Sequence, residues 1–517
     1  MYSRVLTASL YGLSGEKTWV ETDCDNGLPC FSVVGLATQS VKESRERIRA
    51  AIINCGYEFP VKKITVNLTP ADRKKDGTHF DLPMALSLLM SADIAKVKEY
   101  DDAILSGQIA CFGELTLDGK VRPVSGALPM IIGLQRSGVE RIIIPKDNLK
   151  EAMLVKGMLF YPVESLEQVI DFVTGFEFLD AVEASGYTAS ENEGASVPDF
   201  GDIRGQETAK RAAQIAAAGM HGMLMIGPPG VGKTMIGKRI PGIMPPLTYQ
   251  EQLDVTQIYS VAGGLGEKNP MITVRPFRSP HHSVTPTSLI GGGVYPRPGE
   301  ISLAHTGVLF LDELPEFSAQ TLEMLRQPLE DGQVVITRLY GNVIYPSSFM
   351  LVAAMNPCRC GYYGDPVKIC TCTEGDRARY MGKVSGPLLD RIDLHVSLER
   401  IVYTDITTES TSPATDTASL RKGVLAAAEI QRERYANLDI NYNSQLNPKL
   451  IKKYCRINKA GDDLLEAAFS KWNMSARSYH RILKLARTVA DIEQSEEIRE
   501  EHILEALSYR MPEKYFQ

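Results

Sequence analysis

The chain has 517 residues, 44% of them hydrophobic and 23% charged. That is too long for one core and too apolar for a disordered coil, and at roughly 150 residues per domain it leads to an expectation of about three domains. Its 56 basic against 63 acidic residues leave a net charge of -7, which excludes a polybasic protein held on nucleic acid by total charge and confines any such contact to a local patch or channel.

No run of 18 apolar residues marks a membrane-spanning helix, and the segment from Met1 to Asp25 lacks a signal-peptide core. The nine cysteines, an odd number, point to reduced thiols or metal ligands in a cytoplasmic protein, not to a disulfide framework. Residues 1–182 mix alternating runs (Val5 to Tyr11, Lys63 to Leu68, Arg141 to Ile144) with helical stretches such as Gln39 to Ile53, an α+β pattern. Residues 183–199 are small, polar and acidic, and read as a linker. Across 200–402 apolar strands alternate with helical patterns, the mark of an α/β unit on a parallel sheet. A Ser/Thr-rich stretch around Pro413, residues 403–419, reads as a second linker. Residues 420–517 form an all-α unit, with helical periodicity over Leu420 to Arg434 and Ser478 to Ile492.

Within the α/β unit, Gly227-Pro228-Pro229-Gly230-Val231-Gly232-Lys233-Thr234 matches the phosphate-loop pattern G-x-x-x-x-G-K-[ST]. It follows a short buried strand, Met223 to Ile226, and runs into a helix. Loop amides and the helix N-terminus would surround the phosphates, with Lys233 on the β- and γ-phosphates and Thr234 on Mg²⁺. The chain is therefore expected to bind a nucleoside triphosphate. Gly307 to Leu311 is a continuous apolar run ending in Asp312 and Glu313; Asp312 would hold Mg²⁺ and Glu313 would polarise the attacking water. A further strand, Phe349 to Met355, ends at Asn356. That amide could sense the γ-phosphate or orient the water, or be an ordinary turn-former before Pro357.

Cys358, Cys360, Cys370 and Cys372 lie within fifteen residues, a grouping that suits tetrahedral Zn²⁺, although C-x-C is tighter than the usual spacing. Two segments could face nucleic acid. One is a Gly/Pro-rich insert between Arg275 and Glu300 carrying Arg278, His281, His282 and Arg297; the other is a hairpin around Tyr340-Gly341-Asn342 with Arg338 near its tip. Solvated loops bracing a subunit interface would look the same.

The insert reads Arg275-Pro276-Phe277-Arg278-Ser279-Pro280-His281-His282, then Gly291-Gly292-Gly293 and Pro296-Arg297-Pro298-Gly299-Glu300, and the strand after it runs Val308 to Phe317 through Asp312-Glu313. These segments resemble the magnesium-chelatase-like AAA+ ATPases, and within them the competence-associated YifB/ComM family, over almost the whole chain. The resemblance implies an arginine finger at Arg391, within Gly386 to Asp393, and a second sensor at Arg477, within Ser475-Ala476-Arg477. A finger supplied in trans implies a ring, by the resemblance a hexamer. Gly113 to Val121, Ile143 to Lys146 and Asp76-Gly77 resemble the proteolytic domain of Lon. There the serine of the Ser–Lys dyad falls on His79 and the lysine on Leu128, so no protease chemistry is expected.

The function so implied is an ATP-driven DNA motor, a branch-migration helicase acting in recombination of DNA taken up during transformation. Its cofactors would be ATP and Mg²⁺, its partners DNA, further copies of itself and recombination proteins, with no membrane. Two alternatives stand beside it: the ATPase subunit of a metal chelatase, and a non-proteolytic Lon-like assembly factor.

Overall fold

A computed structural model describes residues 2–94, 101–184, 198–265, 270–293, 296–338, 341–400, 416–472 and 474–510. The N-terminal part is built on an eight-stranded mixed sheet. From edge to edge its strands are Val182–Glu183, Leu159–Val163, Arg141–Pro145, Ile109–Cys111, Tyr2–Tyr11, Ser14–Asp25, Lys63–Thr69 and Cys30–Val34. Alternation along Tyr2–Tyr11 sends neighbouring residues to opposite faces: Val5 enters the core beneath the helices Gln39–Asn54 and Asp81–Ser91, while Leu6 enters a second core with the helix Ala127–Arg136. The sheet is therefore covered on both sides.

The middle part carries a five-stranded parallel sheet in the order Phe277–Arg278, Val308–Leu311, Met350–Met355, Met223–Ile226, Leu394–Ser397. Every residue of Met223–Ile226, Val308–Leu311 and Met350–Met355 is buried, which is why these strands read as unbroken apolar runs rather than alternating ones. Burial of each large aliphatic or aromatic side chain here contributes about 1.5–3 kcal/mol. The helical part follows, with Thr417–Arg434, Lys459–Trp472, Ala476–Ile492 and Glu500–Ser508 packed around one another. Its polar centre is Asp491, fully buried and ion-paired to Arg434 and Arg487. Removing either arginine would weaken the compensation of a buried charge.

The linker read at 403–419 ends too late: Asp416 caps a helix that starts at Thr417. Serine and threonine suit a cap and first turn as well as a loop, so composition misplaced the end. Strand Val182–Glu183 likewise carries the sheet to the edge of the first linker. The N-terminal part docks on the middle one through the helix Tyr249–Ala262, where Ser260 donates from Oγ to Glu151 at 2.9 Å and from its carbonyl accepts the Gly126 N–H at 2.9 Å. It also meets the expected hairpin, which forms with Gln333–Arg338 antiparallel to Gly341–Pro346. A Cβ at Gly12, in the turn between the first two strands, would lie 2.8 Å from Val343.

Candidate functional site

The phosphate loop leaves the sheet after Ile226 and ends at Gly232, whose left-handed backbone (φ 96°) starts the helix Lys233–Ile243. Gly230 is also left-handed (φ 81°). A Cβ at either would meet nothing within 4 Å, so the loop bends around open space in a conformation suited to aiming amides at an anion. Lys233 reaches back over this loop and donates to the carbonyls of Gly227 (2.6 Å) and Pro228 (2.8 Å) and to Asn356 Oδ1 (3.0 Å). Burial pushes its ammonium down to about 8, against the opposing pull of Asp312 and Glu313. Thr234 Oγ1 donates to Asp312 Oδ2 at 2.7 Å, and Asp312 Oδ1 accepts the Glu313 N–H at 2.9 Å.

These residues fit a Mg²⁺-nucleotide. The Lys233 ammonium has three oxygen acceptors that phosphate oxygens could replace, and the Thr234–Asp312 pair offers hydroxyl and carboxylate oxygens side by side, the hard donors Mg²⁺ takes. Glu313 sits with φ 52° in the left-handed region, a strained placement for a non-glycine residue. Its carboxylate lies 3.6 Å from His282 Nδ1.

Arg391 and Arg477 converge, but not on this loop. Arg391 pairs with Glu330 at 2.5 Å and Arg477 with the same carboxylate oxygen at 3.1 Å. Leu394–Ser397 runs parallel to Met223–Ile226, with Leu394 opposite Met223 and Ser397 opposite Ile226. Arg391 precedes that strand and the phosphate loop follows the other, so four residues of strand, about 13 Å, separate the two ends of the sheet. The expectation that Arg477 sits on the nucleotide therefore fails for the chain's own phosphate loop: its helix packs at the sheet's far end, where Arg481 donates to the Ile392 carbonyl at 2.7 Å. Arg391 Nε is buried and without a partner among the described residues.

In the insert, Arg278 is not free for phosphate. Its guanidinium forks Glu300 at 2.7 and 2.8 Å, a bidentate pair that ties the two ends of the insert together. Arg275 is a buried brace, donating to the carbonyls of Pro245 and Thr306 at 2.5 Å each. Arg297 is exposed on a short ribbon with Gly291–Gly292, and Arg338 ends the first hairpin strand. Insert and hairpin touch, because the fully buried Tyr345 donates to the Pro296 carbonyl at 2.8 Å. The four cysteine sulfurs come together within 4.8 Å of one another. At the positions that the resemblance assigns to the Lon dyad, His79 is buried with its Nε2 unpartnered among the described residues and Leu128 is fully buried; burial pushes the His79 imidazole down to about 4.

Sequence reasoning missed Glu330 and the His282–Glu313 contact. Glu330 lies in a short helix, Arg326–Asp331, with several other carboxylates nearby in sequence and nothing local to single it out. His282 was legible as a residue of the insert, but its nearness to Glu313 is set by the parallel pairing of Phe277–Arg278 with Val308–Leu309.

Three family models match the chain: magnesium chelatase subunit ChlI over residues 199–406, a ChlI subunit model over 20–148, and the ChlI C-terminal model over 414–510. "Competence protein ComM" of Haemophilus influenzae is 41% identical over 513 residues, covering 99% of this chain and 97% of that protein. YifB of Escherichia coli is 40% identical over 509 residues, covering 98% and 97%. The Lon protease of Buchnera aphidicola is 26% identical over 170 residues, 31% of this chain and 21% of that one.

Proposed function

Because the chain belongs to the YifB/ComM family of magnesium-chelatase-like AAA+ ATPases, we propose that it is a ring-forming ATPase motor acting on DNA, a branch-migration helicase in recombination of incoming DNA. The observation that carries the ring is the placement of Arg391 and Arg477 at the opposite end of the sheet from their own phosphate loop. Such arginines serve a nucleotide only if a neighbouring copy presents its loop to them. A closed hexamer repeats that interface without a free edge.

In this reading Gly227, Pro228, Pro229, Gly230, Val231 and Gly232 cradle the phosphates, Lys233 neutralises them, and Thr234 and Asp312 hold Mg²⁺. The bound Mg²⁺ supplies charge neutralisation on the transferring phosphoryl group. Glu313 accepts a proton from the attacking water, Asn356 orients it, and Arg391 with Arg477 from the next copy stabilises the developing charge. Zn²⁺ is the ion proposed for the four cysteines. His282 links the insert to Glu313, so a track bound at the insert and hairpin can reset the catalytic carboxylate. Arg297 and Arg338 are the proposed phosphate contacts; Arg278 supports them by holding the insert closed against Glu300. DNA as the track rests on the relative named for competence and on these basic elements.

The chelatase reading draws on the name of the family models, but relatives that align over nearly their whole length carry the ComM and YifB names. ATPase rates without DNA and with duplex, single strand and a four-way junction test the proposal. Stimulation, and binding that weakens steeply with salt, are expected. Active rings that bind no DNA at low salt would move the chelatase and assembly-factor readings ahead.

A further inference from the structure

After Asn356 the chain leaves the sheet, and Pro357 leads into a turn closed by the Gly361 N–H on the Cys358 carbonyl at 3.0 Å. It returns through Cys370 and Cys372 to the helix Glu374–Met381, which Thr373 and Asp376 cap reciprocally. No helix or strand lies between these two cysteine pairs. Nor does a core hold the loop: Val367 is 73% and Ile369 88% exposed. What orders it is polar: Asp365 accepts the N–H groups of Val367 and Lys368, and cations from Lys368 and Arg377 sit over Tyr362 and Tyr363.

Cys358 Sγ lies 3.3 Å from Cys360 Sγ and 3.6 Å from Cys370 Sγ, and the latter two are 3.5 Å apart. Cys372 completes a set with all four sulfurs within 4.8 Å. Sulfurs about 2.3 Å from one tetrahedral Zn²⁺ stand about 3.8 Å from each other, whereas a disulfide needs about 2.05 Å. The spread thus matches four ligands around a single ion. Backbone amides lie beside the sulfurs, Tyr363 at Cys358 and Tyr362 and Thr371 at Cys360, while the Gly361 N–H is taken by the Cys358 carbonyl. Such outer donors steady negative sulfur ligands around a metal.

The cluster also leans on the phosphate site. A Cβ at Gly361 (φ 87°) would lie 2.9 Å from Pro229 of the phosphate loop and 3.9 Å from the Asn356 side chain, the same Asn356 that accepts from Lys233. We propose that Cys358, Cys360, Cys370 and Cys372 bind one Zn²⁺, and that this ion, by fixing the turn after Asn356, positions Asn356 and the phosphate loop for hydrolysis. The second half rests on the reading of Lys233 and Asn356 as the ATP site; the first does not. The cysteines are ligands, and Asn356 is the residue they position.

The test begins with metal content of the full-length chain purified under reducing conditions. About one zinc per chain is expected of a closed four-thiolate site, and Cys360→Ser/Cys372→Ser should lose it. In case that variant misfolds, the unsubstituted protein is stripped with a chelator and its helicity followed. Turnover should fall on the order of tenfold to a hundredfold, the cost of a small misplacement at a reacting centre, and return on adding Zn²⁺. On an Asn356→Ala background the same stripping should cost far less, which a merely structural ion would not produce. A folded, zinc-free protein with four titratable thiols, or one carrying iron, overturns the zinc assignment. Equal loss in both backgrounds overturns the positioning role. Stoichiometric zinc in a chain that never hydrolyses ATP would leave the metal site standing and sink the motor.

Discussion

The phosphate site and the Lon-like N-terminal region make an instructive pair. In the first, Lys233, Thr234, Asp312 and Asn356 are joined by direct hydrogen bonds around an open loop. In the second, the positions that the Lon resemblance assigns to a catalytic dyad hold His79, buried with a nitrogen unpartnered among the described residues, and Leu128, fully buried. Both regions have well-formed sheets. At these positions the first brings polar atoms around open space and the second buries what it has, so a shared sheet says little about shared chemistry.

That contrast breaks most sharply at Lys233. Lys233→Ala should abolish ATP hydrolysis, measured as phosphate release, because no other described cation donates to the loop carbonyls of Gly227 and Pro228. Arg391→Ala should lower turnover by roughly 10³-fold or more while leaving its own phosphate loop able to bind nucleotide. Glu313→Gln should slow hydrolysis by about 10²-fold or more and spare binding, since Thr234 and Asp312 remain; a parental rate would remove Glu313 from water activation.

A smaller effect comes with pH. Lys233 titrates near 8 in the free protein, so rising pH strips the charge that phosphates need. Nucleotide affinity should drop roughly tenfold between pH 7 and 9, and a flat titration would contradict it. In the N-terminal region the expected change in activity is zero: His79→Ser should yield no peptidase, because Leu128 offers no base. Its signature is stability instead. The unfolded chain protonates His79 near 6.5, whereas burial holds it near 4 in the fold, so that contribution is intact above about 6.5 and is lost as pH falls toward 4, up to about 3 kcal/mol. Melts of the parent and His79→Phe at pH 7 and 5 read it directly.

Local signals were legible and contacts between distant segments were not. The phosphate loop, Asp312-Glu313 and the buried strands could be read because eight or fewer consecutive residues carry each one. The hairpin also formed, with Gln333–Arg338 paired to Gly341–Pro346. Arg278 looked like a free cation because Glu300, which neutralises it, lies at the other end of the insert. The meeting of Arg391 and Arg477 on Glu330 joins three segments from two parts of the chain, and no spacing rule could supply it. The cysteines were legible as a group, while the close approach of Gly361, in the turn they share, to Pro229 and Asn356 needed the fold.

In the proposed ring, opposite ends of one sheet supply the two halves of a shared site. Mixing Lys233→Ala with Arg391→Ala subunits tests it most directly, because each alone lacks one half and a mixed ring restores interfaces that have both. Partial recovery of ATPase activity in rings shown to contain both chains is the predicted result. Mixed rings as inactive as either variant alone would contradict it.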